Sequence, residues 1–221
     1  MPPGAHNASR HQPRHRFGRC GVHLVKERGV GVRRLLPDDG EEFEPLQTGR
    51  TLGFDGVTAL AARVEALRRA DDVLSAGELI GPAFRELEAA VNLFRESSHV
   101  DEVGRALLVQ IGELAQIAGW IASDKGRHTQ AETAYRLGTS AARQAGDAQL
   151  VTHVVGSLAY QMSNTGHPED AADLVEAAIT EAGPDIHPTA SALAHDRLAW
   201  ARTRAGERRR RCAHSDRLTR R

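Results

Sequence analysis

Gly119-Trp120-Ile121-Ala122-Ser123-Asp124-Lys125-Gly126 is echoed forty residues later by Ala159-Tyr160-Gln161-Met162-Ser163-Asn164-Thr165-Gly166. Forty residues further stands Ala199-Trp200-Ala201-Arg202-Thr203-Arg204-Ala205-Gly206. Each stretch has a small residue, then an aromatic, then a glycine six positions on. Five residues after the first two glycines come Ala131 and Ala171. The spacing reads as a helical hairpin. The glycine permits a tight turn, and the small residues let two backbones approach closely. One hairpin cannot bury its apolar face alone, so the next must cover it.

Apolar spacing outside these stretches agrees. Val57, Leu60, Ala61, Val64 and Leu67 recur at three- and four-residue intervals, the mark of one buried helical face. Phe84, Leu87, Val91 and Phe94 do the same behind Pro82, which suits a first turn. Leu107, Leu108, Ile111, Leu114, Ala115, Ala118 and Ile121 form a third stripe, and Ala131, Ala134, Tyr135, Gly138, Ala141 and Ala145 a fourth. Val151, Val154, Val155, Leu158 and Met162 form a fifth. Ala171, Leu174, Val175, Ala178 and Ile179 form a sixth, and Leu193, Leu198 and Ala201 a seventh. Thr129-Gln130-Ala131-Glu132 has the form of a capping box. Gly146, Gly166 and Gly183-Pro184 are expected helix ends, and Pro168-Glu169-Asp170 an expected helix start. No segment alternates with period two for long. The expectation is an all-α chain of seven helices with short turns.

The third copy breaks. Where Ala131 and Ala171 stand in the first two, it has Arg211, inside Arg208-Arg209-Arg210-Arg211. A second helix there lacks an apolar face. This predicts a solvated Arg-rich tail over 207–221, with Leu193 and Leu198 left uncovered. Self-association through that end, or fraying of the last helix, is expected to follow.

Charge marks the same boundary. The chain has 29 basic and 29 acidic side chains, a net of zero. Residues 1–50 carry nine basic and six acidic groups, residues 51–201 eleven and twenty-one, residues 202–221 nine and two. An acidic middle of net −10 thus lies between basic ends of +3 and +7. The expected organisation is a poorly ordered basic segment at 1–50, a helical-repeat domain at 51–206 and the basic tail. A short strand over Val22–Val32 would need a partner. Aromatics are 4 %, which suits an Ala/Leu-rich helical protein. The longest apolar run, Leu107–Ala122, is interrupted by Gln110, Glu113 and Gln116, so no membrane span is expected. Cys20 and Cys212 make no disulfide framework, and a reducing cytoplasm is the default.

The hairpin pattern resembles the tetratricopeptide repeat family, through Gly119, Gly126, Ala131 and Tyr135 in one copy and Leu158-Ala159, Gly166, Ala171 and Ala178 in the next. The period is forty rather than the ~34 usual there. Leu52–Gly206 is also similar to the C-terminal helical-repeat region of actinobacterial helix-turn-helix transcriptional regulators of the Xre type. The phrases that carry this are Gly119-Trp120-Ile121-Ala122-Ser123-Asp124, Ala134-Tyr135-Arg136-Leu137-Gly138, Ala145-Gly146-Asp147 and Gly156-Ser157-Leu158-Ala159-Tyr160-Gln161, then Asp196-Arg197-Leu198-Ala199-Trp200-Ala201 and Arg204-Ala205-Gly206. The resemblance implies a tetratricopeptide-like α-solenoid in a regulatory protein. Residues 1–50 hold no pair of amphipathic helices around a short turn, so no helix-turn-helix is expected there. Both ends depart from the family, which is expected of a mis-assigned start, a frameshift or a degraded gene. A regulator remnant with no independent activity is the alternative reading.

Catalytic chemistry finds little support. Gly29-Val30-Gly31 lacks the third glycine of a dinucleotide motif. Cys20, His23, His6, His11 and His15 match no paired-ligand spacing, so neither metal nor cofactor is expected. No nucleophile has an identifiable base, and the chain is not expected to be an enzyme. Asp71, Asp72, Glu86 and Glu88 read as a solvated acidic face. The basic tail suits phosphate contacts that read no sequence, or no role at all; sequence-specific DNA binding by this chain alone is not expected.

In the tetratricopeptide resemblance the first helix of each hairpin lines a concave groove. Matching the copies puts Glu113, Gln116, Trp120 and Asp124 on that surface, with His153, Tyr160 and Asn164 in the second copy and Asp196 and Trp200 in the third. Rings for contact area beside polar groups for a peptide backbone suit an extended peptide or protein partner. The other account is that the three rings only pack between hairpins.

Overall fold

The computed structural model describes residues 50–219. Seven helices fill them: α1 (Phe54–Asp71), α2 (Ala76–Glu96), α3 (Asp101–Asp124), α4 (His128–Ala145), α5 (Ala148–Asn164), α6 (Pro168–Ala182) and α7 (Pro188–Thr219). The all-α expectation holds. The exception is a two-residue parallel pairing of β1 (Arg50–Thr51) with β2 (Ser97–Ser98). The expected segment over 1–50, including any strand at Val22–Val32, falls outside the described residues apart from Arg50.

Glycine ends the helices where the sequence places it. Gly126, Gly146, Gly166 and Gly183 all take positive φ, between 71° and 103°. Only glycine enters that region without steric cost. Two starts differ from expectation. Helix α2 begins at Ala76, so Pro82 lies inside it. The Glu78 carboxylate accepts from the Ser75 N–H at 3.0 Å and from the Ser75 hydroxyl at 2.7 Å, which satisfies the helix start a turn and a half earlier. Helix α4 begins at His128 rather than at a Thr129 cap. Thr129 is already helical there, and Glu132 pairs with Arg136 at 2.6 Å.

Helix α3 lies in the middle of the first half and packs on α1, α2, α4 and α5; α5 packs on α3, α4, α6 and α7. The predicted stripes form the core. Leu60, Leu107, Ile111, Leu114, Ile121, Ala131, Tyr135, Val154, Ala159 and Ala171 are fully buried. Among the described residues α3 is the one helix long and apolar enough to cross a membrane, but 67 % of its apolar window is buried against the other helices. Helix α3 meets α4 at glycines. An ideal Cβ on Gly138 would lie 2.9 Å from the Ala115 Cβ and 3.3 Å from the Gly112 carbonyl oxygen. An ideal Cβ on Gly119 would lie 2.6 Å from the Tyr135 ring.

The C-terminal expectation needs correction. Helix α7 runs unbroken through Gly206 and the arginine run to Thr219, with no turn at Gly206, while Arg208 and Arg209 remain exposed. Arginine is a good helix former, and cations suit a helix C-terminus, so a helix needs no apolar face there. Arg208 also binds Glu169 of α6 at 2.8 Å. Burial pushes the Glu169 carboxyl up, but the Arg208 hydrogen bond and charge outweigh it and hold the group below its usual range. Leu198 is 7 % exposed, packed among residues of α5 and α6, and Leu193 is half-buried. The uncovered surface expected on Leu198 does not exist, and self-association loses that basis.

Candidate functional site

Trp120, Tyr160 and Trp200 sit at the same register of α3, α5 and α7, and the packing of these helices brings them together. The Trp120 and Tyr160 rings stack with centroids 5.7 Å apart and planes 23° apart. Tyr160 and Trp200 follow at 5.9 Å and 31°. The indole N–H of Trp200 donates to Asn164 Oδ1 at 3.3 Å, and Asn164 in turn donates to the Tyr160 carbonyl at 2.9 Å. Trp120 and Tyr160 are half-buried, and Trp200 is 38 % exposed. The rings therefore pack on one another, as one account expected, and still show an outer face. Such contacts contribute about 0.5–1.5 kcal/mol beyond area burial.

Beside the ladder lies a cleft of about 270 Å³, lined by Arg68 and Asp71 of α1, Gln116, Ile117 and Trp120 of α3, His153 and Ser157 of α5, and Arg197 of α7. A second cleft of about 400 Å³ adjoins it, with His153 in both and Glu113 and Leu193 on its wall. Gln116 is buried, and its amide donates to the Ser157 hydroxyl at 3.1 Å, which itself donates to the His153 carbonyl. Gln116 is thus floor rather than free contact. Glu113 is held in an ion pair by Arg68.

Asp124 and Asp196 are placed differently. Asp124 is exposed at the end of α3, although the partial burial of its carboxyl raises its pKa. The Asp71 pKa is raised as well, by burial first and then by the charges of Asp124 and Asp72. Asp71 belongs to the cleft, not to a solvated face. Glu86 pairs with Arg63 at 3.2 Å, while Asp72 and Glu88 are exposed as expected. Asp196 lines neither cleft, and its side chain is 70 % exposed. Its register explains this. Gln116 reaches the next first helix and Gly156 lies under the Arg197 stem, whereas among the described residues no further first helix packs against Asp196.

Sequence spacing did not single out Arg197. Its guanidinium carbon stands 4.6 Å from the Tyr160 ring centroid and 5.9 Å from that of Trp120. The stem crosses α5 at Gly156, where an ideal Cβ would be 3.4 Å from Arg197 Cγ. The available signal was register: Ile117, Ser157 and Arg197 occupy one repeat position, three residues before each aromatic, and all line the same cleft. Arg204 covers Trp200 at 5.7 Å.

Burial lowers the His153 pKa, Arg68 and Arg197 lower it further, and Glu113 opposes them. The unfolded chain, with an ordinary value of ~6.5, therefore takes up this proton first. His153 stabilises the fold fully above that value, and the stability is lost as pH falls through it towards the folded value. The melting temperature is expected to drop between pH 7.5 and 5.5. His153→Gln is expected to drop less across the same window, by calorimetry. An identical drop would mean another of the 11 histidines carries it.

Among the described residues no group of three or more His, Cys, Asp or Glu is placed to hold a metal ion. No family model matches the chain, and no curated protein and no solved structure matches it either.

Proposed function

We propose that this chain is a non-enzymatic helical-repeat module that binds a peptide or protein along the surface shared by α1, α3, α5 and α7. The observation that carries the reading is the ring ladder of Trp120, Tyr160 and Trp200, with a polar cleft beside it on the same first helices. Aromatic rings beside buried amide and charged groups suit an extended chain, with rings for area and polar groups for its backbone. We read the hairpins as a tetratricopeptide-like α-solenoid. The packing of α1 on α3, α3 on α5 and α5 on α7 supports that arrangement.

The phrases shared with Xre-type regulators make a bacterial transcriptional regulator the proposed setting, with this module as its sensor part. The acidic body, eleven basic against twenty-one acidic side chains over 51–201, is poorly matched to phosphate. DNA contact is therefore assigned to some other part of that setting.

Trp120→Ala tests the groove. The ring is half-buried, so the variant is expected to lose about 2 kcal/mol and keep its helical spectrum. Peptides selected on the unaltered chain by display are expected to bind the variant at least tenfold more weakly. A folded variant with undiminished binding removes the reading. A regulator remnant, by contrast, would melt without a cooperative transition.

A further inference from the structure

The acidic body gathers positive charge in the cleft beside the ladder. Arg68 enters from α1 and Arg197 from α7. Arg68 is engaged by Glu113 and lies 3.8 Å from Glu65. Arg197 is not so engaged. Its one ion pair among the described residues is a loose one to the exposed Asp196 carboxylate at 3.8 Å, beyond hydrogen-bond range. Its side chain is only 21 % exposed, stacked over Tyr160 and laid across Gly156. A guanidinium held by its flat face keeps its edge donors free and oriented, the geometry that receives a carboxylate in a two-pronged bond.

We infer that Arg197 is the carboxylate-binding subsite of this groove, and that the partner presents an acidic side chain there, with an apolar neighbour on the Trp120–Tyr160 rings. This rests on the peptide-groove reading above and adds the charge of the ligand. An internal side chain, rather than a chain end, fits the surroundings. The ring ladder continues to one side of Arg197, and the cleft of Glu113 and Leu193 opens on the other. A bound segment has surface on both sides. The Asp71 carboxyl shares the cleft with Arg197, and burial first, then the Asp124 and Asp72 charges, raise its pKa.

The chain has two tryptophans, both in the ladder, so its own fluorescence reports on this surface. The probes are three hexapeptide pools, each with randomised Leu, Ile, Val and Phe around one fixed central residue. The first has central Glu with acetylated and amidated ends, the second central Gln with the same ends, and the third central Gln with a free C-terminal carboxylate. The unaltered chain is expected to bind the Glu pool at least tenfold more tightly than the capped Gln pool. Arg197→Gln is expected to erase that preference, so that the Glu and capped Gln pools bind the variant equally. Arg197→Lys, which keeps the charge but loses the flat two-pronged edge, is expected to retain only part of it. Equal binding of the two capped pools overturns the subsite and leaves the groove standing. A preference for the free C-terminus overturns the internal segment. No binding of any pool removes the groove and the subsite together. The Glu-to-Gln ratio comes from the unaltered chain, so it does not depend on how a variant folds.

Discussion

Tyr135→Ala is expected to destabilise the chain by about 3–5 kcal/mol, the range for deleting a fully buried aromatic side chain. Domain stabilities run at roughly 5–15 kcal/mol, so this variant stands close to unfolding at ambient temperature. The ring shows no exposed surface and fills the space that Gly119 leaves on α3. It lies where α3, α4 and α5 meet, so no single helix can shift to close the cavity. The hydroxyl behaves differently. It is buried and finds no hydrogen-bond partner among the described residues. Burial, with the Asp124 charge, pushes its pKa far up, so it stays neutral throughout the stable range. A buried unpaired polar group costs about 1–3 kcal/mol. Tyr135→Phe is therefore expected to be neutral or to stabilise by about 1 kcal/mol. Urea unfolding of both variants decides the matter. A Phe variant as weak as the Ala variant would show that the ring's packing is not what matters.

Gly138→Val is expected to cost about 3 kcal/mol, at the upper end of overpacking. Its first carbon would stand 2.9 Å from the Ala115 Cβ, and 3.3 Å from both the Gly112 carbonyl oxygen and Val154 Cγ1. Two of these neighbours are backbone or a backbone-fixed methyl, which cannot swing aside. Helices α3 and α4 would have to separate. Gly138→Ala sets a useful contrast, because its gain in helix propensity of about 1 kcal/mol offsets part of the same clash. A Val variant melting with the unaltered chain would mean that α3 and α4 do not cross at these glycines.

Much of the fold was legible because its signals are local. Gly126 and Gly166 mark turns since a left-handed residue is needed there, and Leu107–Ile121 names a buried face by spacing alone. Ser75-Ala76-Gly77-Glu78 carried the start of α2 equally openly, with Pro82 as a competing start signal six residues on. Thr129 matched the same motif and does not cap, because the tight turn at Gly126 already delivers His128 into helix. The arginine run misled for a different reason. A missing apolar face argues against a second packed helix, and it says nothing against the continuation of the first.

Of the groove residues, Trp120, Tyr160 and Trp200 were readable from a forty-residue interval, and so was the side of each helix they occupy. Composition and periodicity thus set the class of fold, the number of helices and the register of the ladder, since each depends on neighbours within one or two turns. The rest waited on how the helices pack. Whether Gln116 is floor or contact depends on Ser157, forty-one residues away. Whether Asp196 is covered or open depends on which helices pack against α7, and among the described residues these are α5 and α6. Arg197 gains its place only because Gly156 leaves room for its stem and Tyr160 a surface for its charge. Those contacts join residues distant in the chain, and no local pattern encodes them.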